Sequence, residues 1–266
     1  MEADLDSDGT ALYHRTRGSG PILLLLPGGD GDADTYDRLA DHLATDFTVA
    51  TFDRRGLSRS ADAGPPSDIS THADDAAQIL RTLSDAPAAV FGSSIGAVIA
   101  LELLTRHPDL VRLAVVHEPP AAALLSEPER SELATAQYEI EQSHLADGVP
   151  AAMAQFARLA GLAVVDREPD VDLPGPSPYR AGNLEYFLTH DAPAVRTYRP
   201  DTAALRDRSS AIIPAVGATT TGVIARTAPA LAALLEVSVV RFPGGHTGPR
   251  MYPRAYAQGL RELLQA

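Results

Sequence analysis

A serine inside a Gly-x-Ser-x-Gly pattern is the residue of this chain best suited to covalent chemistry. Ser94 is the central residue of Gly92-Ser93-Ser94-Ile95-Gly96. An apolar run precedes the motif and an apolar segment of helical period follows it, which predicts a sharp strand-to-helix turn that projects the serine hydroxyl above a sheet. A Gly/Ser-rich turn that only joins strand to helix, or binds a phosphate, is the alternative. We expect Ser94 to be a nucleophile.

A histidine on a glycine turn supplies a candidate general base. His246 lies in Gly244-Gly245-His246-Thr247-Gly248, directly after the last predicted strand. The chain has 8 histidines, and a loop histidine is often only a surface residue. This one follows the last strand and precedes a helix, which is where the base lies in chains that order their triad as Ser, acid, His. We therefore expect His246 to be the base.

The composition excludes several other classes of chemistry. The 266 residues contain no Cys, and their 22 basic residues, all Arg, face 35 acidic ones for a net charge of −13. A nucleic-acid partner, a thiol nucleophile and a Schiff-base lysine are thus not expected. We predict no cofactor, no metal site and no membrane partner. The acidic N-terminus lacks the features of a signal peptide, so we expect a cytoplasmic protein, while the oligomeric state stays open.

The elements that must position these residues follow the pattern of an α/β protein. Short apolar runs alternate with longer segments of helical period, which predicts a mostly parallel, twisted sheet flanked by helices. The predicted strands are residues 11–17, 22–26, 47–52, 88–92, 111–116, 211–216 and 237–242. The predicted helices between them are residues 33–44, 69–83, 95–106, 223–235 and 252–264.

One long interruption predicts an insertion. No strand is predicted between residues 116 and 211, and helical patterns cover residues 128–145, 149–162 and 179–190. Because ligands bind at the carboxyl edge of such sheets, we interpret the insertion as a helical substrate lid. The predicted division is a core of residues 1–118 and 211–266 with a lid of residues 119–210.

The order of elements and motifs resembles the α/β-hydrolase superfamily of serine hydrolases over nearly the whole chain. The segment 52–60, FDRRGLSRS, also resembles a strand end and loop of many esterases and haloperoxidase-like members. We expect Asp53 and Arg54 in this segment to hold loops. The resemblance implies an oxyanion hole made by the backbone N–H groups of Gly29 and Ile95. The alternative is that the glycine turn after residues 22–26 only connects a strand to a helix and binds no oxyanion.

The acid departs from the usual pattern of that superfamily. Thr220 occupies the position after the penultimate strand where most members carry Asp. Some members, including lipases and fungal lactone hydrolases that open zearalenone, place the acid at the end of the strand that follows the elbow helix. Glu118 occupies that position here, so we predict that it orients His246. The alternatives are a salt bridge or lid-entrance role for Glu118, an acid from the lid such as Asp191, and a Ser–His dyad.

Two further features complete the predicted site. His117, next to Glu118, should point away from it if the strand alternation holds, so we give it no catalytic role. Four aromatic residues of the lid are candidate substrate contacts, although aromatic residues at helical spacing often form only a lid core; they are Tyr138, Phe156, Tyr186 and Phe187. If they line a cleft, they suit an apolar group better than a sugar or a peptide.

The sequence thus predicts a serine hydrolase that cleaves a carboxylic ester or lactone of a small, largely apolar molecule through an acyl-enzyme. A non-hydrolytic enzyme of the same fold, performing an elimination in a biosynthetic pathway, is the first alternative. A ligand-binding receptor with a lidded pocket is the second.

Overall fold

The apolar runs of the sequence form the strands of one sheet in a computed structural model. The structure describes residues 2–7, 10–29, 31–60, 67–162, 167–169, 171–172, 175 and 177–265. The strands are β1 (Glu2–Ser7), β2 (Thr10–Arg17), β3 (Ile22–Leu26), β4 (Thr48–Phe52), β5 (Ala88–Ser93), β6 (Val111–His117), β7 (Ile212–Gly217) and β8 (Val240–Phe242). Their order is β1-β2-β4-β3-β5-β6-β7-β8. Strand β2 is antiparallel to β1 and β4, and the other pairs are parallel.

Helices occupy the intervals between the strands. They are α1 (Asp37–Leu43), α2 (Ile69–Leu83), α3 (Ile95–Arg106), α4 (Glu127–Asp147), α5 (Val149–Leu159), α6 (Arg180–Tyr186), α7 (Ala192–Thr197), α8 (Thr202–Asp207), α9 (Ile224–Leu235), α10 (Gly248–Met251) and α11 (Pro253–Gln265). A π-helical segment, Phe187–Asp191, joins α6 to α7. Short 3-10 helices cover Pro108–Leu110, Ala122–Leu124 and Ser209–Ala211.

Alternating side chains of the parallel strands fill two cores, one on each face of the sheet. Leu24 and Leu26 of β3 are buried in the core that α2, α3 and α9 cover. Leu23 and Leu25 of the same strand are buried in the core that α1 and α11 cover. Burial on both faces explains why these strands read as continuous apolar runs, and it fixes the sheet with its carboxyl edge free for a site. The predicted fold class is confirmed.

The observed elements differ from the prediction in several places, among them the short helices α7, α8 and α10, which were not predicted. Strand β1 pairs with β2 and was not predicted. Helix α1 begins only at Asp37, because the preceding residue, Tyr36, has φ −111° and ψ 28° and is not helical. Strand β8 is confined to Val240–Phe242, since Glu236 adopts a left-handed conformation, φ 57°, that ends α9.

The predicted lid forms a group of helices, α4 to α7, between β6 and β7. All eight strands lie within the proposed core segments 1–118 and 211–266. Leu205 of α8, inside the proposed lid range, is buried in the same core cluster as residues of α3 and α9. We keep the division as a proposal, with α8 serving as the connection back to the sheet. Among the described helices, none is long and apolar enough to cross a membrane.

The start of α3 packs so closely against β5 and the end of β3 that two positions must be glycine. A Cβ on Gly92 would lie 2.2 Å from the carbonyl oxygen of Gly96, and a Cβ on Gly96 would lie 2.0 Å from that of Leu26. Real Cβ atoms do not approach backbone oxygens so closely. The two glycines of the Gly-x-Ser-x-Gly motif therefore let the backbone turn directly beneath the sheet edge.

Replacing Gly96 by Ala should destabilise the protein by on the order of 3 kcal/mol, because the overpacked atom is rigid backbone. Urea unfolding measures the change. Gly182→Ala in α6 is the matched control: its Cβ would meet nothing within 4 Å. That control should be neutral or stabilising by up to about 1 kcal/mol. Equal effects of the two substitutions would contradict the packing account.

Candidate active site

Ser94 lies on a strained turn at the carboxyl end of β5. Its backbone has φ 57° and ψ −125°, a conformation that non-glycine residues rarely adopt and that costs about 1–3 kcal/mol. The Ser94 N–H donates to the carbonyl of His117 at 2.9 Å, which fixes the turn to β6. Gly28 approaches so closely that a Cβ there would lie 2.8 Å from the Cβ of Ser94. The glycine turn after β3 therefore lies directly beside the serine.

Glu118 and His246 form a hydrogen-bonded pair. The Nδ1 of His246 lies 2.6 Å from Oε2 of Glu118, whose side chain is fully buried. The other carboxylate oxygen, Oε1, accepts the backbone N–H of Gly217 at 2.7 Å. Glu118 itself has a positive φ of 51°, directly after β6 ends. Because β7 lies between β6 and β8 in the sheet, its last residue supports the carboxylate that reaches across to the loop after β8.

The environment of Glu118 keeps it ionised at neutral pH. Burial by itself would raise its pKa, but the hydrogen bond from His246 and the positive charge of His117 and His246 at acid pH lower the pKa of Glu118 to about 2. The Thr220 hydroxyl contributes least to this lowering. That hydroxyl is buried and makes no hydrogen bond of ordinary geometry within the described ranges. Thr220 thus lies beside the pair without replacing the carboxylate.

His117 is fully buried next to Glu118. Its Nδ1 lies 3.0 Å from the Ser93 hydroxyl, and its Nε2 lies 3.0 Å from the Tyr256 hydroxyl. Burial lowers the pKa of His117 to about 4, although Glu118 opposes the effect and His246 adds to it. His117 is therefore neutral at neutral pH, in contact with Ser93 and not with the hydroxyl of Ser94. Its Nε2 also lies 3.8 Å from Oε1 of Glu118, so the expectation that strand alternation turns His117 away from Glu118 is wrong; the positive φ of Glu118 breaks the alternation at that point.

Two backbone N–H groups adjoin Ser94. Ile95 is the first residue of α3, so its N–H has no acceptor within the helix. Gly29 adopts a positive φ of 42° in the turn after β3, and its carbonyl accepts a hydrogen bond from Arg54 at 2.6 Å. Neither N–H donates to another backbone carbonyl among the hydrogen bonds of the described loops and turns. This arrangement leaves both groups available to bind an oxyanion.

A buried ion pair joins this turn to the lid. The Arg54 guanidinium donates to the carbonyl oxygens of Pro27, at 3.1 Å, and Gly29. It also donates to the Asp191 carboxylate at 2.9 Å, and both side chains are fully buried. His72 of α2 contacts the second oxygen of Asp191 at 3.1 Å. The carboxylate of Asp191 thus binds Arg54 and His72, and among the described residues it makes no hydrogen bond to His246. Arg54 holds loops as predicted.

Ser94 and His246 share a narrow cleft beneath the lid. Lid helices and α9 line it with apolar side chains; they include Ile140, Phe156, Leu159, Phe187, Val195 and Ile224. The open volume is about 40 Å³, far below the roughly 300–1,000 Å³ of sites for drug-sized ligands. The rings of Phe156 and Phe187 meet edge to face, with centroids 5.5 Å apart. A substrate larger than a few atoms must therefore displace lid side chains.

Two of the four predicted aromatic contacts lie elsewhere. Tyr138 is 51% exposed on the outer face of α4, with Arg196 over its ring. Tyr186 packs against the backbone of Gly56, and its hydroxyl donates to Ser67 at 3.2 Å. Helix packing turned both away from the cleft. The sequence analysis also missed several lining residues, among them the polar residue Gln137, which is the direct neighbour of Tyr138 in the chain.

Comparison with known proteins decides the family. The family described as alpha/beta hydrolase fold matches residues 21–161, and a hydrolase of Bacillus subtilis (strain 168), YraK, is 35% identical over 98% of this chain and 95% of its own length. The chain belongs to the α/β-hydrolase family. It is therefore a hydrolase of the α/β-hydrolase type.

Other α/β hydrolases resemble the chain over shorter stretches or in fold alone. A zearalenone hydrolase of Bionectria ochroleuca is 35% identical over 122 residues, which are 44% of this chain and 46% of that protein. The crystal structure of a hydrolase from Pseudomonas aeruginosa PA01 superposes with a TM-score of 0.74 at 21% identity, covering 100% of this chain and 98% of that one. The second likeness concerns the fold.

Replacing Asp191 by Asn should lower the free energy of unfolding of this α/β hydrolase by about 3–5 kcal/mol, because Arg54 then carries an uncompensated buried charge. Urea unfolding at neutral pH measures the loss. The control is Asp74→Asn, which weakens the contacts of Asp74 with Arg106 and His107; the side chains of Asp74 and Arg106 are 43% and 41% exposed. That change should cost less than about 1 kcal/mol. A similarly small loss for Asp191→Asn would show that the buried pair does not hold lid and turn together.

The low pKa of His117 predicts a loss of stability in mild acid. The unfolded chain protonates this residue near its ordinary pKa of 6.5, whereas the folded protein protonates it only near pH 4. Stability should therefore fall as pH decreases from 6.5 to 4, by on the order of 3 kcal/mol from this residue. Urea unfolding of wild type and His117→Gln across that window isolates the contribution. Parallel profiles for the two proteins would contradict it.

Proposed function

We propose that this protein is a serine hydrolase that cleaves a carboxylic ester or lactone of a small, largely apolar molecule through an acyl-enzyme. The observation that carries the proposal is the 2.6 Å contact between His246 and the buried, ionised Glu118, in a cleft that His246 shares with Ser94. A carboxylate on Nδ1 fixes the imidazole tautomer that leaves Nε2 free to accept a proton.

Acylation begins when the Ser94 hydroxyl attacks the substrate carbonyl carbon. His246 takes the hydroxyl proton at Nε2, and Glu118 stabilises the resulting imidazolium through the Nδ1–H. The carbonyl oxygen becomes an oxyanion, for which the N–H groups of Gly29 and Ile95 are the proposed donors. Collapse of this intermediate expels the alkoxide, which receives the proton from His246. The products of this half-reaction are the alcohol and the Ser94 ester; a lactone keeps both on one molecule.

Deacylation repeats the same steps with water. His246 removes a proton from the water molecule as it attacks the acyl carbon, and the proton then passes to Oγ of Ser94 as the ester bond breaks. The carboxylic acid leaves and the serine is restored. Since the steps transfer only protons and the acyl group among Ser94, His246, water and the substrate, the proposed reaction calls on no cofactor.

The lining of the cleft supports the proposed substrate class. Its side chains are mainly aliphatic and aromatic, and the volume open next to Ser94 is small. An apolar acyl or alcohol group gains free energy by leaving water for such surroundings. The relative from Bionectria ochroleuca is named after zearalenone, a lactone. This name is consistent with the lactone part of the proposal but does not specify the substrate of this chain.

Glu118→Gln should reduce kcat on p-nitrophenyl butyrate by on the order of 10²–10⁴, because the amide keeps the shape of the carboxylate but cannot stabilise the imidazolium. Steady-state kinetics with matched circular dichroism spectra separate loss of activity from loss of folding. Thr220→Ala is the control: it alters the same pocket without removing a charge, so kcat should stay within about threefold of wild type.

The outcomes distinguish which residue orients His246 and whether the protein is a hydrolase. Loss of activity in Thr220→Ala with retention in Glu118→Gln would transfer the orienting role to Thr220 and contradict the proposal. If the wild-type protein binds p-nitrophenyl esters but turns none over, a binding protein or a non-hydrolytic enzyme replaces the hydrolase.

A further inference from the structure

One face of α4 carries a polar residue where its neighbours are apolar. Leu133 and Ile140 of this helix are buried, and Gln137 lies four residues after the first and three before the second. Residues at these spacings share a helix face. Gln137 therefore lies on the inward side of α4, in line with two core side chains, and it is one of the residues that line the cleft.

The amide of Gln137 has an unpaired oxygen. Its Oε1 is buried and has no hydrogen-bond partner among the residues that the structure describes. A buried acceptor without a partner destabilises the free protein, since unfolding returns it to water. An apolar side chain of similar length would fill the same space without this penalty. The unpaired oxygen therefore points to a partner that arrives with the substrate.

The surroundings limit what that partner can be. Within the described lining of the cleft, Ser94, His246 and Gln137 are the residues with polar side chains. Ser94 and His246 are assigned to the reacting carbonyl by the proposed function, on which this inference rests. Gln137 is then the group left to recognise a polar atom elsewhere on the substrate, across walls that Phe156 and Phe187 make apolar.

We infer that Gln137 binds a hydrogen-bond donor of the substrate, a hydroxyl or amide N–H, at a position separate from the scissile ester. The substrate class is therefore an otherwise apolar ester or lactone that carries one such group. A hydroxyl fits either end of the side-chain amide, because it can donate to Oε1 or accept from Nε2. Gln137 acts on selectivity and takes no part in bond breaking.

Matched substrate pairs test this assignment. The probes are the p-nitrophenyl esters of butyrate and 3-hydroxybutyrate, and of hexanoate and 6-hydroxyhexanoate. Wild type should favour the hydroxylated member of at least one pair in kcat/KM by about fivefold to tenfold, the range that a net neutral hydrogen bond gives. Gln137→Met should abolish that preference by lowering kcat/KM for the hydroxylated ester relative to that for the unsubstituted one.

The control is Gln142→Met, which makes the same change on the exposed side of α4. It should leave the preference as in wild type. A second readout needs no substrate: Gln137→Met should raise Tm by about 2–4 °C, because it removes an unpaired buried acceptor, while Gln142→Met should not. An unchanged or lower Tm for Gln137→Met would mean that Oε1 is satisfied within the protein, which overturns the inference.

Binding separates this inference from the proposed function. In the Ser94→Ala background, ligand-induced shifts in Tm report affinity for each ester without turnover. A preference for the hydroxylated ester that disappears in Ser94→Ala/Gln137→Met supports the subsite even if the wild-type protein hydrolyses none of the esters. If the esters are hydrolysed but neither kinetics nor binding distinguishes the pairs, the proposed function stands and the assignment of Gln137 is wrong.

Discussion

The hydrogen bond between Glu118 and His246 depends on three neighbouring strands and therefore on the order of the whole sheet. Glu118 follows β6, His246 follows β8, and the N–H of Gly217 at the end of β7 holds the second oxygen of the carboxylate at 2.7 Å. A carboxylate buried without such partners would be too unstable to remain ionised. The sheet supplies these partners because β6, β7 and β8 are parallel and end at the same edge, and the site can form only where they end.

A second buried charge links that edge to the lid. Arg54 holds the carbonyl oxygens of the turn that presents the N–H of Gly29, and it pairs with Asp191 at the end of the π-helical segment. Phe187, at the start of the same segment, lines the cleft. The Arg54 guanidinium thus connects the turn of the proposed oxyanion donor, Gly29, with the lid segment whose Phe187 lines the cleft. A movement of the π-helical segment would therefore shift the turn beside Ser94.

Local patterns in the sequence predicted most of the site, because the Gly-x-Ser-x-Gly turn, the histidine after the last strand and the carboxylate after β6 each depend on short segments. Contacts made by packing were not accessible in this way. Tyr138 was expected at the substrate, but the phase of α4 exposes it and turns Gln137 inward. The spacing of Gln137 from Leu133 and Ile140 would have indicated this. Strand β1 was missed although its residues alternate between acidic and apolar, as an edge strand can.

The proposed reaction requires Ser94 to form a covalent bond with the substrate. Mass spectrometry of peptides after treatment with a fluorophosphonate tests it directly, because the reagent phosphonylates an activated serine. We expect one adduct on Ser94, lost in His246→Ala, and none on Ser93, whose hydroxyl is buried against His117. An adduct on Ser93, or undiminished ester hydrolysis by Ser94→Ala, would contradict it.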